Sequence, residues 1–280
     1  MSKFKINVDA YDETQWLYSQ DWEYHDYGSC KRHLQIIFPF KAEWGEDEKY
    51  PVILFIPGSA WHKQEMYNDI PQYADLGRQG FVVVAMEYRE SDLAPFPAQV
   101  EDVGNALASM GTIADQFHMD MNRVYLMGNS SGGHIAMMSA LFQANGLCGR
   151  FPGISGVVVL SGSTDLLICA KAPLPPWMDR RPSAVLLGVD RIEGNEELAR
   201  KASCAMYITE DIKLPPVLLI HSENDPVVSV ENSRALYEQL VGARHEVSYY
   251  ELAGCDAHGG AVYYSRQVLG IIREFCGEHR

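Results

Sequence analysis

Three side chains set far apart in the chain have the types and settings of one nucleophilic centre. Residues 124–136 read VYLMGNSSGGHIA. An apolar run meets a Gly-x-Ser-x-Gly turn at Gly128, Ser130 and Gly132, and a run of small and apolar residues follows. That order predicts strand, sharp turn, helix. In such a turn the serine backbone is strained so that Oγ stands clear of the sheet. The flanking positions lack a Cβ because strand and helix pass close together. The Ser131 N–H then opens a helix, where unpaired donors face a developing anion. A serine alcohol is a weak nucleophile near neutral pH, so it needs a base within hydrogen-bond reach and an acid to orient that base. His258, in the Gly-rich stretch GCDAHGGA beyond the apolar run Val247–Leu252, is the expected base. Asp225, in HSENDPVVSVENS just past Val217–His221, is the expected acid, with Glu223 and Asp256 as rivals. His134 falls inside the predicted elbow helix and His221 inside a predicted strand, so neither is placed to act as the base. A second oxyanion donor is sought in Pro57-Gly58-Ser59-Ala60-Trp61, where small residues let the N–H groups of Ser59 and Ala60 approach a carbonyl closely.

These residues need a frame, and the hydrophobic pattern supplies one. Continuous apolar runs at Pro51–Ile56 and Phe81–Tyr88 read as strands covered on both faces. With His33–Phe40, Val124–Met127, Gly156–Leu160, Val217–His221 and Val247–Leu252 they make seven predicted strands. Helix-like stretches lie between them at Asp69–Gln79, Pro97–Phe117, Ser131–Gln143, Ser229–Leu240 and Val262–Phe275. Alternation of this kind predicts an α/β fold, a mostly parallel sheet with helices on both faces. The first strand is expected to pair antiparallel with the second, because the link between them is short and polar. Residues 1–30 are acidic and aromatic and read as an arm packed on the surface. Residues 169–210 interrupt the alternation with Pro173, Pro175, Pro176 and Pro182, and read as a small cap above the strand ends. The whole of 1–280 is expected to be one domain carrying these two additions.

The composition, 47% apolar and 21% charged, is that of a globular protein. A formal charge of −14 repels nucleic acid and anionic membranes, so neither is expected as a partner. The six cysteines are scattered with no C-x-x-C pair, which argues against a disulfide framework or a zinc site and for a reducing compartment. No signal-like N-terminal segment and no long apolar span is visible, so a cytoplasmic location is expected.

Six stretches together resemble a known family. They are PGSAW (57–61), EYRESDLAPFPAQVEDV (87–103), GNSSGGHIA (128–136), SGSTDL (161–166), HSENDPVVSVENS (221–233) and CDAHGG (255–260). From about Ile36 to Phe275 the chain resembles α/β-hydrolase serine esterases of the group holding hormone-sensitive-lipase-like, feruloyl/acetyl-esterase-like (BD-FAE) and arylformamidase enzymes. The resemblance implies Ser130 as nucleophile, Asp225 as acid and His258 as base, with the amides of Ser59, Ala60 and Ser131 as the oxyanion hole. It implies no metal or organic cofactor. It departs from the family where relatives read His-Gly-Gly: here stand Pro57, Gly58 and Ser59, so an imidazole that braces the loop is missing. The implied activity is hydrolysis of short-acyl esters, acetyl above all, on a small molecule such as a decorated sugar. An amide substrate, as for arylformamidases, is the alternative, and a non-catalytic binding module on the same fold is a third reading. Trp61, Trp177 and Met178 are expected to line the pocket. The oligomeric state is left open, a homodimer included.

Overall fold

A computed structural model describes residues 2–5, 14–41, 44–45, 48–149, 153–174 and 179–279. The strands are β1 (Gln15–Asp26), β2 (Lys31–Phe40), β3 (Tyr50–Ile56), β4 (Val82–Met86), β5 (Met119–Asn129), β6 (Ile154–Leu160), β7 (Val217–Ser222) and β8 (Val247–Leu252). They form one eight-stranded sheet in the order β1-β2-β4-β3-β5-β6-β7-β8. β1 and β2 are antiparallel to each other, β2 is antiparallel to β4, and the remaining neighbours run parallel.

The period of two along each strand sorts apolar side chains into two cores. Val52, Leu54 and Ile56 of β3 pack on one face, with α2 (Ala98–Ile113), α3 (Ser131–Ala144) and α7 (Glu231–Gly242). Ile53 and Phe55 pack on the other, with α1 (Ile70–Gly77) and α8 (Arg266–Glu278). Both faces being covered, β3 and β4 are apolar at nearly every position, as the sequence pattern requires. On α2, Val100, Val103, Ala106, Leu107 and Met110 form the buried stripe that their helical spacing predicts.

Three features differ from the sequence-based expectation. Among the described residues there are eight strands, because residues 15–26 of the supposed surface arm form β1. It shows no clean alternation: it is an edge strand on which only Tyr24 is fully buried. Secondly, β2 does not pair with β3. β4 is buried at every position and needs partners along both edges; β3 supplies one and β2 the other. Thirdly, the described residues of the interruption at 169–210 hold only short pieces: the end of α4 (Leu166–Lys171), then α5 (Pro182–Leu186), α6 (Glu196–Lys201) and a 3₁₀ turn at Cys204–Tyr207. Trp177 and Met178, expected to line the pocket, lie outside the described residues. The Phe96 amide donates to Leu186 O at 2.8 Å, tying this region to the loop after β4.

The order of the strands fixes where a ligand can sit. After β3 the chain moves to one side of the sheet through α1 to β4; after β5 it moves to the other side through α3 to β6. The carboxyl ends of β3 and β5 therefore open onto a crevice at a topological switch point. The elbow there is crowded. A Cβ at Gly132 would lie 1.9 Å from Ile56 O, and one at Gly128 would lie 2.4 Å from the carbonyl of Gly132. Gly132→Ala should therefore cost more than about 3 kcal/mol or prevent folding. Gly111→Ala, on an exposed face of α2 with nothing within 4 Å, should instead add about 0.5–1 kcal/mol. Urea unfolding of the two variants beside the parent measures both effects.

Candidate active site

Ser130 sits between β5 and α3 at φ 53° and ψ −124°, a positive-φ conformation that a non-glycine residue adopts only when its surroundings impose it. The surroundings here are backbone hydrogen bonds. Ser130 N donates to Leu160 O at 2.9 Å, and Ser130 O accepts from Ser163 N and His134 N, both at 3.2 Å. The residue is clamped by its main chain and remains partly exposed. The Ser131 N–H begins α3 and has no partner within the helix.

Asp225 and His258, separated by 33 positions, meet at 2.8 Å between Oδ2 and Nδ1. The Asp225 side chain is inaccessible to solvent, and that of His258 is 18% exposed. Facing a carboxylate, His258 Nδ1 carries the proton, so Nε2 presents a lone pair. Asp225 Oδ1 accepts from Val227 N at 2.8 Å and Val228 N at 2.9 Å. Burial pushes the Asp225 carboxyl up, but hydrogen bonds from His258 and Val228, with the His221 N–H close beside it, outweigh it. They hold the group well below the usual carboxylate range. The loop that carries His258 lies against the elbow, since a Cβ at Gly259 would fall 3.8 Å from Asn129 Nδ2. The rival acid Glu223 instead accepts the Gly254 amide at 3.2 Å on an exposed surface.

The loop after β3 also abuts the elbow: a Cβ at Gly58 would lie 2.8 Å from Ser130 Cβ. The loop is held by neutral side chains of the elbow and of the segment after β4. Gly58 N donates to Asn129 Oδ1 at 2.8 Å, and Ser59 N donates to Ser131 Oγ at 2.9 Å. The Tyr88 hydroxyl, fully buried, reaches Ser59 Oγ at 2.8 Å, Pro57 O at 3.1 Å and Ser131 Oγ at 3.2 Å. Burial pushes the Tyr88 phenol up to about 12, so it stays a neutral donor. The Ser59 N–H is therefore engaged by the Ser131 hydroxyl at the start of α3, which differs from the expectation that it faces a substrate. Among the described residues no partner engages the N–H of Ala60, which stands at φ 53°.

Trp61 does not line a pocket as expected. It is buried, and its Nε1–H donates to His134 Nδ1 at 3.1 Å, while His134 Nε2–H donates to Ala202 O at 2.8 Å. One imidazole thus ties the β3 loop, the elbow helix and the C-terminal end of α6. Sequence reasoning left Tyr88 and His134 without a role, although both lie within stretches that carry the family resemblance. Their partners, side-chain and backbone groups alike, lie far off in the chain, which no spacing reveals. Among the described residues no cluster of His, Cys, Asp and Glu could hold a metal ion. No helix there is long and apolar enough to cross a membrane.

Comparison with known proteins gives a consistent picture. The BD-FAE family model matches residues 36–240. Esterase LipC of Mycobacterium tuberculosis is 30% identical over 226 residues, which cover 75% of this chain and 53% of LipC. The isoprenylcysteine alpha-carbonyl methylesterase ICME of Arabidopsis thaliana is 25% identical, over 71% of this chain and 49% of its own. The chain thus spans about half the length of the curated relatives it matches. Among solved structures, a truncated carbohydrate esterase from gut microbiota superposes with a TM-score of 0.76 at 23% identity, covering 98% of both chains. A propionate-bound esterase, Est2 of Thermogutta terrifontis, gives 0.71 at 19% identity, over 92% of this chain and 93% of its own. At these identities the structures establish the likeness of fold.

The buried His134 carries a pH signature. Burial lowers it from 6.5 to about 4. Between those values the unfolded chain binds a proton that the folded chain does not, so stability falls as pH falls. The loss should reach roughly 3 kcal/mol by the lower end. Urea midpoints across this range should show a shallower pH dependence for His134→Gln than for the parent; equal slopes would contradict the assignment.

Proposed function

The chain belongs to the BD-FAE family, and from that premise we propose that it is a serine hydrolase that cleaves carboxylic esters of short acyl groups through an acyl-enzyme. The observation that carries the reading is the 2.8 Å bond from His258 to the buried Asp225 carboxylate, in a loop that abuts the strained Ser130 elbow. Ser130 Oγ attacks the ester carbonyl carbon as His258 Nε2 takes its proton. Asp225 holds the imidazole tautomer and stabilises the imidazolium. The Ala60 and Ser131 amides receive the oxyanion; Ser59 supports them through its bond to Ser131 Oγ rather than donating directly. The imidazolium returns its proton to the leaving alcohol, and a water activated by the same His258 then releases the acid. No metal or organic cofactor enters this chemistry.

Acetyl is the favoured acyl group and a decorated sugar the favoured alcohol. The solved relatives named as a carbohydrate esterase and as a propionate-bound esterase support that choice. The region 169–210 is read as a cap over the crevice, supported by its ties to the loop after β4 and to His134. The stretch SGSTDL, whose resemblance to formamidases favours an amide, is here used in structural work. Ser161 Oγ bonds the Tyr263 hydroxyl, and Asp165 caps α4 by accepting from Leu167 N at 2.8 Å. The ester reading therefore stands first. Six unpaired thiols support a cytoplasmic setting, and the acidic surface supports a small-molecule partner rather than nucleic acid or an anionic membrane.

A panel of p-nitrophenyl esters of increasing acyl length, with N-formylkynurenine as the amide, tests this. Turnover should peak at acetyl or propionyl, and N-formylkynurenine should be the poorer substrate. Ser130→Ala should lower turnover by roughly 10⁵- to 10⁶-fold. Parent-like acetate hydrolysis by Ser130→Ala would reject the nucleophile, and a preference for the amide would reverse the substrate order.

A further inference from the structure

Asp225 faces a second imidazole. His221, near the end of β7, has no solvent exposure, and its Nε2 lies 3.0 Å from Val228 O and 3.4 Å from Asp225 Oδ2. Both neighbours are acceptors, so Nε2 carries the proton. It points mainly at the carbonyl, and the carboxylate contact is a charge–dipole contact rather than a full hydrogen bond. The other ring nitrogen then accepts from the Ser233 hydroxyl, 2.7 Å away and itself fully buried on α7. The tautomer is thus set from both sides.

The consequence lies in the turn that carries the acid. Asp225 Oδ1 holds the Val227 and Val228 amides, and His221 holds the Val228 carbonyl. The same His221 N–H dipole sits beside Oδ2, the oxygen that bonds His258. A carboxylate buried in a loop needs both its charge and its direction maintained. β7 and α7 are built into the two-sided fold; the acid's turn is not. His221 refers that turn to both elements.

Resting on the reading of Asp225 as the acid, we propose that His221 is a positioning residue that keeps the Asp225 carboxylate aimed at His258. It touches neither substrate nor reacting atoms, and its effect runs through Asp225.

Two amide substitutions separate this from a merely structural role. The amide nitrogen of Gln reaches about where Nε2 stands, whereas that of Asn reaches about where Nδ1 stands. With p-nitrophenyl acetate, His221→Gln should keep kcat within about 3-fold of the parent, and His221→Asn should lose roughly 30-fold in kcat with KM little changed. In an Asp225→Asn background, read by the rate of fluorophosphonate labelling, the Gln and Asn variants should become equal within about 2-fold. Equal kcat for Gln and Asn in the parent, or a difference that persists in the Asp225→Asn background, would overturn the proposal. If neither variant folds, Ser233→Ala serves, since it frees the tautomer without altering the ring. A severalfold loss of kcat at constant KM supports the role, and unchanged kcat overturns it. Ser130→Ala run in parallel separates the two levels of the argument. Retained activity there sinks the site reading itself, whereas an inactive Ser130→Ala beside indifferent His221 variants sinks only the positioning role.

Discussion

The site depends on one steric constraint, the near-contact of two backbones where β5 turns into α3 beside the end of β3. Residue 132 passes so close to the Ile56 carbonyl that no side chain fits between them. That approach forces Ser130 into its positive-φ conformation and lays the N-terminal end of α3 next to the loop that follows β3. The helix N-terminus, the serine and the loop amides converge because the chain has little room to place them elsewhere. The cost of the strained residue is offset by the sheet around it, whose parallel strands are buried on both faces.

Around this point the protein uses neutral polar groups. Asn129, Ser131 and Tyr88 hold the loop that carries Pro57. His134 joins the loop to the elbow helix and to the end of α6 as an uncharged imidazole. One carboxylate is the exception. Asp225 is inaccessible and ionised, tolerable only because two backbone amides and two imidazole edges face its oxygens. Such a network is demanding, since every member left without its partner would bear the full cost of desolvation.

How much of this could be read from the chain follows from the range of the interactions. The elbow was legible because its requirements are local: glycines at fixed offsets and a strand-to-helix change in period. Asp225 and His258 were legible as positions, since each follows an apolar run, and their meeting is a matter of topology. β1 was obscured because its aromatic residues stand among polar ones with no clean alternation, on an edge strand whose two faces are both largely exposed. The pairing of β2 with β4 was hidden because chain order does not give sheet order when a strand needs two partners. His221 reads as an ordinary strand residue, and only the folded turn from 222 to 228 brings Asp225 back over it. The engagement of the Ser59 amide was equally invisible, for it is decided by one hydroxyl, that of Ser131, in an element distant in sequence.

The most direct measurement is a crystal structure of the protein inhibited by a short alkyl phosphonate ester, which mimics the tetrahedral intermediate of ester hydrolysis. The account predicts a covalent bond from Ser130 Oγ to phosphorus, the phosphoryl oxygen within about 3 Å of the Ala60 and Ser131 nitrogens, and His258 Nε2 within hydrogen-bond reach of Oγ. A phosphonate bound to another residue, or one on Ser130 whose oxygen faces away from both amides while His258 stays apart, would contradict it.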